Sequence, residues 1–279
     1  IAAVICALEL TRRATGWVIP ILAIIAITYT AWWGRYVSGI FQFPGLTWET
    51  VLYRATYGGD GMFGTIARIS WSYVFMFILF GTFLLRSGAS DVILALARAA
   101  AGRFAGGPGF VAVFGSGLMG SISGSAIGNT VSTGVVTIPL MKRAGFPAKT
   151  AAGIEAAAST GGQLMPPVMG AGAFLMATYT GESYLTIISV ATLPALLYFL
   201  SVAFHVRITA LQLGLKPDTS NTSLNDLGLA KGWPVLLPIV LLVALLIAGF
   251  TPTWSAAAAC IATILCANFG PRPMGPRDV

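Results

Sequence analysis

The chain has 279 residues, of which 56% are hydrophobic and only 9% charged, with a mean hydropathy of +0.84. An ordinary soluble domain carries about 25% charged residues, so this composition excludes that class and points to a membrane protein. The net charge of +7 would suggest a nucleic-acid partner in a soluble protein; here loop Lys and Arg that orient a membrane protein are the simpler cause, and no nucleic acid is expected.

A membrane span needs about 20 apolar residues. Residues 1–8 read as the tail of one helix and 14–33 as a second. Ile1 is not an initiator methionine, and the chain reads as a segment of a longer one. Residues 34–61, with Pro44-Gly45, predict an extramembrane connector with a short interfacial helix around 47–57. Residues 62–85 predict a span. Residues 88–105, with Asp91, Arg98 and Arg103 among alanines and leucines, predict an amphipathic surface helix, so that 62–106 forms one scaffold region. A transport region, 107–180, follows. Within 181–279, spans are expected at 185–206, 232–250 and 253–269, with a polar loop at 212–231.

The transport region holds the unusual chemistry. From Phe104 to Met141 no residue is charged, yet eleven of the fifteen residues in "GSISGSAIGNTVSTG", 120–134, are Gly, Ser, Thr or Asn. One straight helix over this uncharged run would be roughly 57 Å long, about twice the hydrocarbon thickness. Split at the polar stretch it gives two legs, near 109–119 and 130–141, which predict a re-entrant hairpin over 107–145 with its tip at 120–129. Counting loop cations agrees: a hairpin that enters and leaves on one side puts thirteen Lys and Arg on one face and three on the other.

Irregular backbone within a bilayer is tolerated where it is buried in protein or lines a cavity. Ser121, Ser123, Ser125 and Asn129 supply neutral oxygens of the kind hard cations prefer, and the start of the second leg offers open N–H groups to an anion. A second break follows in "STGGQLMPPVMGAG", 159–172, where Pro166-Pro167 interrupts a helix over 147–180 and frees carbonyls near Gly161, Gly162 and Met165. Two adjacent breaks are the pattern of a secondary-transporter site, whereas small residues alone would signal only helix packing. Glu155 is either a membrane acid of this site or, six residues after Lys149, an interfacial residue.

Enzyme chemistry lacks its parts. The motifs GxSxG, GxxxxGK[ST], HExxH and CxxC are absent. Cys6, Cys260 and Cys266 lie in apolar segments and read as small hydrophobes, and His205 reads as interfacial.

The stretch "GSISGSAIGNTVSTGVVTIPLMKRAGFPAKTAAGIEAAASTGGQLMPPVMGAGAFLMA", 120–177, resembles the large membrane component of tripartite ATP-independent periplasmic (TRAP) transporters, and "YVFMFILFGTFLLRSG", 73–88, fits the same pattern. The likeness is closest to the type in which small and large components are fused. The resemblance implies an all-α, multi-span inner-membrane permease with a re-entrant hairpin and a broken helix, the first half of an inverted-repeat elevator carrier. It makes 1–33 the end of the fused small component and places the second repeat beyond Val279; 14–33 and the connector would belong to a static scaffold.

The resemblance also implies sodium as coupling ion, no other cofactor, a small organic carboxylate as substrate, the lipid bilayer as surroundings and a periplasmic substrate-binding protein of the TAXI class as partner. Carried over by position, Ser123, Asn129, Gly161, Gly162, Met165 and Pro166 would hold sodium. Ser121, Gly124, Ser125, Thr133 and Gln163 would face the substrate. Two other readings of the hairpin are a channel filter and a non-transporting assembly component. Uptake that saturates and needs a binding protein would separate the carrier from the first; loss of function on substituting hairpin Ser or Asn would separate it from the second.

Overall fold

The computed structural model describes residues 1–101, 104–215 and 232–269, whose regular structure is helical with no strand among them. They form two compact units, Ile1–Trp71 and Ser72–Val279. The loop read at 212–231 and the cations Arg103, Lys216, Lys231, Arg272 and Arg277 lie largely or wholly outside the described residues.

In the first unit, α1 (Ala2–Thr15) and α2 (Val18–Ala31) are separate helices. The apolar run over 14–33 therefore yields a helix of only 14 residues, because Gly16, at φ 81°, ends α1 inside it. On α1, Glu9 accepts bonds from Arg12 (Nε and Nη2, both 2.7 Å) and Arg13 (Nε, 2.9 Å). The Arg12 bonds, and then that of Arg13, pull the Glu9 carboxyl down to about 2. Residues after α2 fold back on it, with Leu46 N–H donating to Thr30 C=O at 2.8 Å. Helix α3 (Trp48–Tyr57) begins where Thr47 accepts from Thr50 N–H, a side-chain N-cap.

A helical run over Thr65–Arg86 is long and apolar enough to cross a membrane. It comprises α4 (Thr65–Ile69), a π turn at Ser70–Val74 and α5 (Phe75–Arg86). In the second unit, α6 (Ala89–Ala101) is amphipathic as its pattern predicts. Its apolar face is not left for a membrane surface: Val92, Ile93, Leu94 and Ala97 are buried and α7 (Gly107–Ser123) packs on it, while Asp91 and Arg98 face outward. The other long span is α11 (Tyr184–Gln212), 29 residues or roughly 44 Å. Helices α12 (Trp233–Ile247) and α13 (Pro252–Ala267) pair with each other, and α13 also packs on α5.

The core of the second unit forms where α7, α8 (Ala126–Arg143), α9 (Ala148–Gly161) and α11 meet. Ala112, Val113, Met141, Ala151, Ile154, Ala158, Val206 and Ala210 are among its buried members. Several α7 glycines serve packing alone: Gly109 lies under Val206 and Gly117 under the Phe199 ring. Small residues here let helices approach closely.

Candidate functional site

Helices α7 and α8 form a hairpin. A Cβ on Gly109, in the first turn of α7, would lie 3.2 Å from the Phe146 ring beyond α8, so the open ends of the two helices meet. The break between them is Gly124-Ser125 alone, shorter than the tip at 120–129 that the sequence predicts. The serines explain why. Ser121 turns its hydroxyl back to Leu118 C=O (2.7 Å), within a helix that runs on to Ser123. Ser125 accepts from Gly128 N–H (3.1 Å) and caps α8, while Gly124 takes the left-handed conformation at φ 62°. The legs are therefore 17 and 18 residues, roughly 26 Å each.

The second break follows α9. A short turn, Gly162–Leu164, leads into non-helical backbone over 165–170, and α10 (Ala171–Thr180) resumes. Tyr184 of α11 ties this segment down by donating its hydroxyl toward the Pro167 (2.9 Å) and Val168 (2.7 Å) carbonyls.

The two breaks touch. Val168 N–H donates to Ser121 C=O at 3.0 Å. A Cβ on Gly124 would lie 2.3 Å from Met169 C=O, and one on Gly120 would lie 2.3 Å from Gly162 Cα, so the hairpin and the broken helix meet backbone to backbone. Asn129 sits at this contact, fully buried; its Nδ2 donates to Ser116 C=O at 2.7 Å and lies 3.0 Å from where a Gly120 Cβ would be. Its other amide atom, Oδ1, is buried with no hydrogen-bond partner, the one such side-chain atom among the described residues. Buried polar atoms are nearly always paired, so an orphan carbonyl oxygen between two broken helices marks a place for a ligand that donates or carries positive charge.

Deeper in the hairpin lies a polar knot that motif reading does not find. Glu155 of α9 is fully buried. It accepts from Ser116 (2.8 Å, Oε1), Ser159 (2.9 Å, Oε1), Thr137 (2.5 Å, Oε2) and Thr133 (Oε1). This decides between the two sequence readings of Glu155 in favour of an interior acid. The carboxylate and Asn129 are linked twice: Ser116 binds both, and Thr133 Oγ1, in contact with Glu155, also lies 2.7 Å from Asn129 C=O, an alternative acceptor for its one proton.

The residues named from the sequence thus fall into separate places. Asn129 and Gly162 are buried together at the contact of the breaks, whereas Gly161 is buried against the Tyr198 and Phe199 rings of α11. Ser123, Met165 and Pro166 are half-buried at its edge, Ser125 and Gln163 are exposed, and Thr133 is enclosed with Glu155. Gly162 C=O accepts from Met165 N–H (3.2 Å), and Gln163 C=O accepts from Gly170 N–H (2.8 Å), so these carbonyls are already partly used. Ser116, Thr137 and Ser159 escape sequence reading because a lone hydroxyl on an apolar helix reads as packing.

An apolar helical chain, two membrane-length helices and two apposed polar breaks are the features of an integral membrane protein with an interior polar site. The profile of the family described as "Tripartite ATP-independent periplasmic transporter, DctM component" matches residues 2–275, and the chain belongs to that family. It is a multi-pass protein of the bacterial inner membrane and not an enzyme. The chain is 31% identical over 205 residues to the C4-dicarboxylate TRAP transporter large permease protein DctM of Vibrio cholerae, covering 72% of this chain and 44% of that one. The protein of the same name from Pseudomonas aeruginosa is 31% identical over 201 residues, 71% of this chain and 46% of its own length. The sialic acid TRAP transporter permease protein SiaT of Haemophilus influenzae is 26% identical over 251 residues, 89% of this chain and 40% of the relative. The chain therefore spans a little under half the length of these relatives.

Proposed function

We propose that this chain is part of a secondary transporter that takes up small organic carboxylates with sodium, after delivery by a periplasmic substrate-binding protein of the TAXI class. The observation that carries this reading is the unpartnered Asn129 Oδ1 at the contact of two helix breaks. A neutral carbonyl oxygen accepts nothing from the protein there but suits a hard, weakly charged cation. Ser123, Asn129 and the carbonyls of Gly161, Gly162, Met165 and Pro166 form the ligand set from which sodium is held. Discontinuous helices supply such carbonyls in other secondary transporters.

The substrate carboxylate approaches the start of α8, where the first N–H groups of a helix have no intrahelical partner. Gly124, Ser125 and the exposed Gln163 line that approach, with Ser121 behind them. Thr133 takes a different part, as a prop for Asn129. The substrate class is supported by the names of relatives, which give a C4-dicarboxylate, a sialic acid and 2,3-diketo-L-gulonate, each an acid. The elevator motion would carry the hairpin and the broken helix together, which is consistent with their shared core and interlocked backbones.

The test is uptake by the full-length permease in liposomes with its binding protein, using a labelled organic-acid pool with and without an inward sodium gradient. Uptake should need both sodium and the binding protein. Asn129→Ala should raise the half-saturating sodium concentration at least roughly tenfold while insertion and yield stay normal, the expected size for losing one buried ligand to a charge. Sodium dependence that is unchanged in Asn129→Ala removes the ion from this place, and uptake indifferent to sodium removes it from the mechanism.

A further inference from the structure

A cation held only by neutral oxygens brings a whole positive charge into the protein interior. Glu155 presents the complementary problem. It is fully buried, makes no ion pair among the described residues, and receives four hydroxyl groups from three helices. An ionised carboxylate only accepts; here Ser116, Ser159 and Thr133 converge on Oε1 and Thr137 reaches Oε2. Hydrogen bonds satisfy its oxygens but leave its charge unbalanced, and a lone buried charge is expensive. A charged side chain inside a membrane segment calls for a named partner.

We propose that Glu155 is the counter-charge of the coupling cation: it does not ligate the ion, but balances it from one layer below and orients its ligand. This rests on the sodium reading given above. Two short links join the carboxylate to Asn129. Ser116 donates its hydroxyl to Glu155 and accepts Asn129 Nδ2 on its carbonyl, which fixes the amide's NH2 end there and leaves Oδ1 for the ion. Thr133 touches both Glu155 and the Asn129 carbonyl. Gly134 packs so closely that an added Cβ would lie 3.3 Å from Glu155 Cγ, which holds the carboxylate on the hairpin side of α9. Glu155 is thus a positioning residue with an electrostatic role. With the ion absent, the unit carries one buried negative charge; with it bound, the charges cancel, which favours binding of one monovalent cation.

The test measures equilibrium sodium binding to the full-length permease in nanodiscs with radioactive sodium, together with substrate half-saturation at saturating sodium. Glu155→Gln keeps the shape and removes the charge. Its sodium affinity should fall roughly tenfold, the size of a charge–charge interaction across about 10 Å at an effective dielectric near 20. Substrate half-saturation should stay unchanged, a split that a general loosening of the fold does not produce. Glu155→Asp should stay within about threefold of wild type, because the charge remains.

The double variant S116D/E155Q moves the charge to the neighbouring position in the same knot and should regain most of the lost affinity. It also decides the matter should Glu155→Gln fail to fold: near wild-type sodium affinity in the double variant supports the counter-charge, and a roughly tenfold loss overturns it. Folded Glu155→Gln with wild-type sodium affinity overturns the role of Glu155 while leaving the sodium site standing, since Asn129→Ala reports on that site alone. Wild-type protein that binds no sodium overturns both.

Discussion

Glu9 and Glu155 are two carboxylates on helices of the same chain, and the protein treats them in opposite ways. Glu9 lies on α1, partly exposed, and is held by the guanidinium groups of Arg12 and Arg13. Glu155 lies in the α7–α9 core and is held by hydroxyls, with no ion pair to it among the described residues. At a surface, opposite charges are plentiful and cheap to hydrate, so pairing adds little. In an apolar interior each added charge is costly, so neutral donors satisfy the carboxylate without a second ion. Four buried hydroxyls thus converge on one acid in a core where an apolar side chain would serve packing alone.

The largest effect expected from probing this difference is that of Glu155→Ala. The substitution opens a cavity at the junction of three helices, yet the hydroxyls are not all stranded. Thr133 can turn to Asn129 C=O, Thr137 to Thr133 C=O, and Ser116 to Thr133 Oγ1; only Ser159 loses its sole partner. The cost should be about 2–4 kcal/mol, from the cavity and one unsatisfied hydroxyl. Thermal or denaturant unfolding of the full-length protein in detergent measures it. A loss no larger than that of a surface substitution would mean that the knot does not contribute to holding the hairpin on α9.

Thr137→Val comes next and is a finer probe. It keeps the volume and removes the hydroxyl at 2.5 Å, the one group among the described residues that donates to Oε2. The expected cost is about 1–2 kcal/mol, since half of the carboxylate loses its only donor. The same unfolding measurement in Thr137→Ser, which restores a hydroxyl, should recover most of it.

These two regions also show what the sequence makes legible. The Glu9-Arg12-Arg13 cluster can be seen directly, because its members are three and four residues apart on one helix. The two breaks are equally visible, since Gly124, Gly162 and Pro166-Pro167 act on their own backbone. The Glu155 knot is not, because Ser116 and Thr137 lie 39 and 18 residues from it in the chain and meet it only when the hairpin closes on α9. Nearness to Lys149 in sequence made an interfacial position for Glu155 just as reasonable. The hairpin tip is shorter than its composition predicts for a related reason: composition shows that Ser121 and Ser123 are polar, but not that a hydroxyl can bond back to its own helix and let it continue. For α6 the pattern shows an apolar face without showing what covers it, and the cover is α7 rather than a lipid surface.

The smallest effect belongs to Glu9, and its pH dependence has a definite sign. Its carboxyl is lowered from 4.5 to about 2, first by the Arg12 bonds and then by that of Arg13. A group whose folded value is depressed contributes its full stabilisation above the unfolded value and loses it as pH falls toward the folded one. The contribution to α1 should therefore be constant from neutral pH down to about 4.5 and fade between there and about 2. Because Glu9 is solvent-exposed, the contribution is screened by water and salt, and global unfolding of Glu9→Gln should match wild type. Hydrogen exchange of the amides of α1 is the sensitive readout. Glu9→Gln should exchange slightly faster than wild type at pH 7 in low salt. That difference should disappear in about 1 M salt, where the screening length is about 3 Å. A difference that survives such salt would show that Glu9 acts through something other than its two arginines, and the contrast with Glu155 would then narrow.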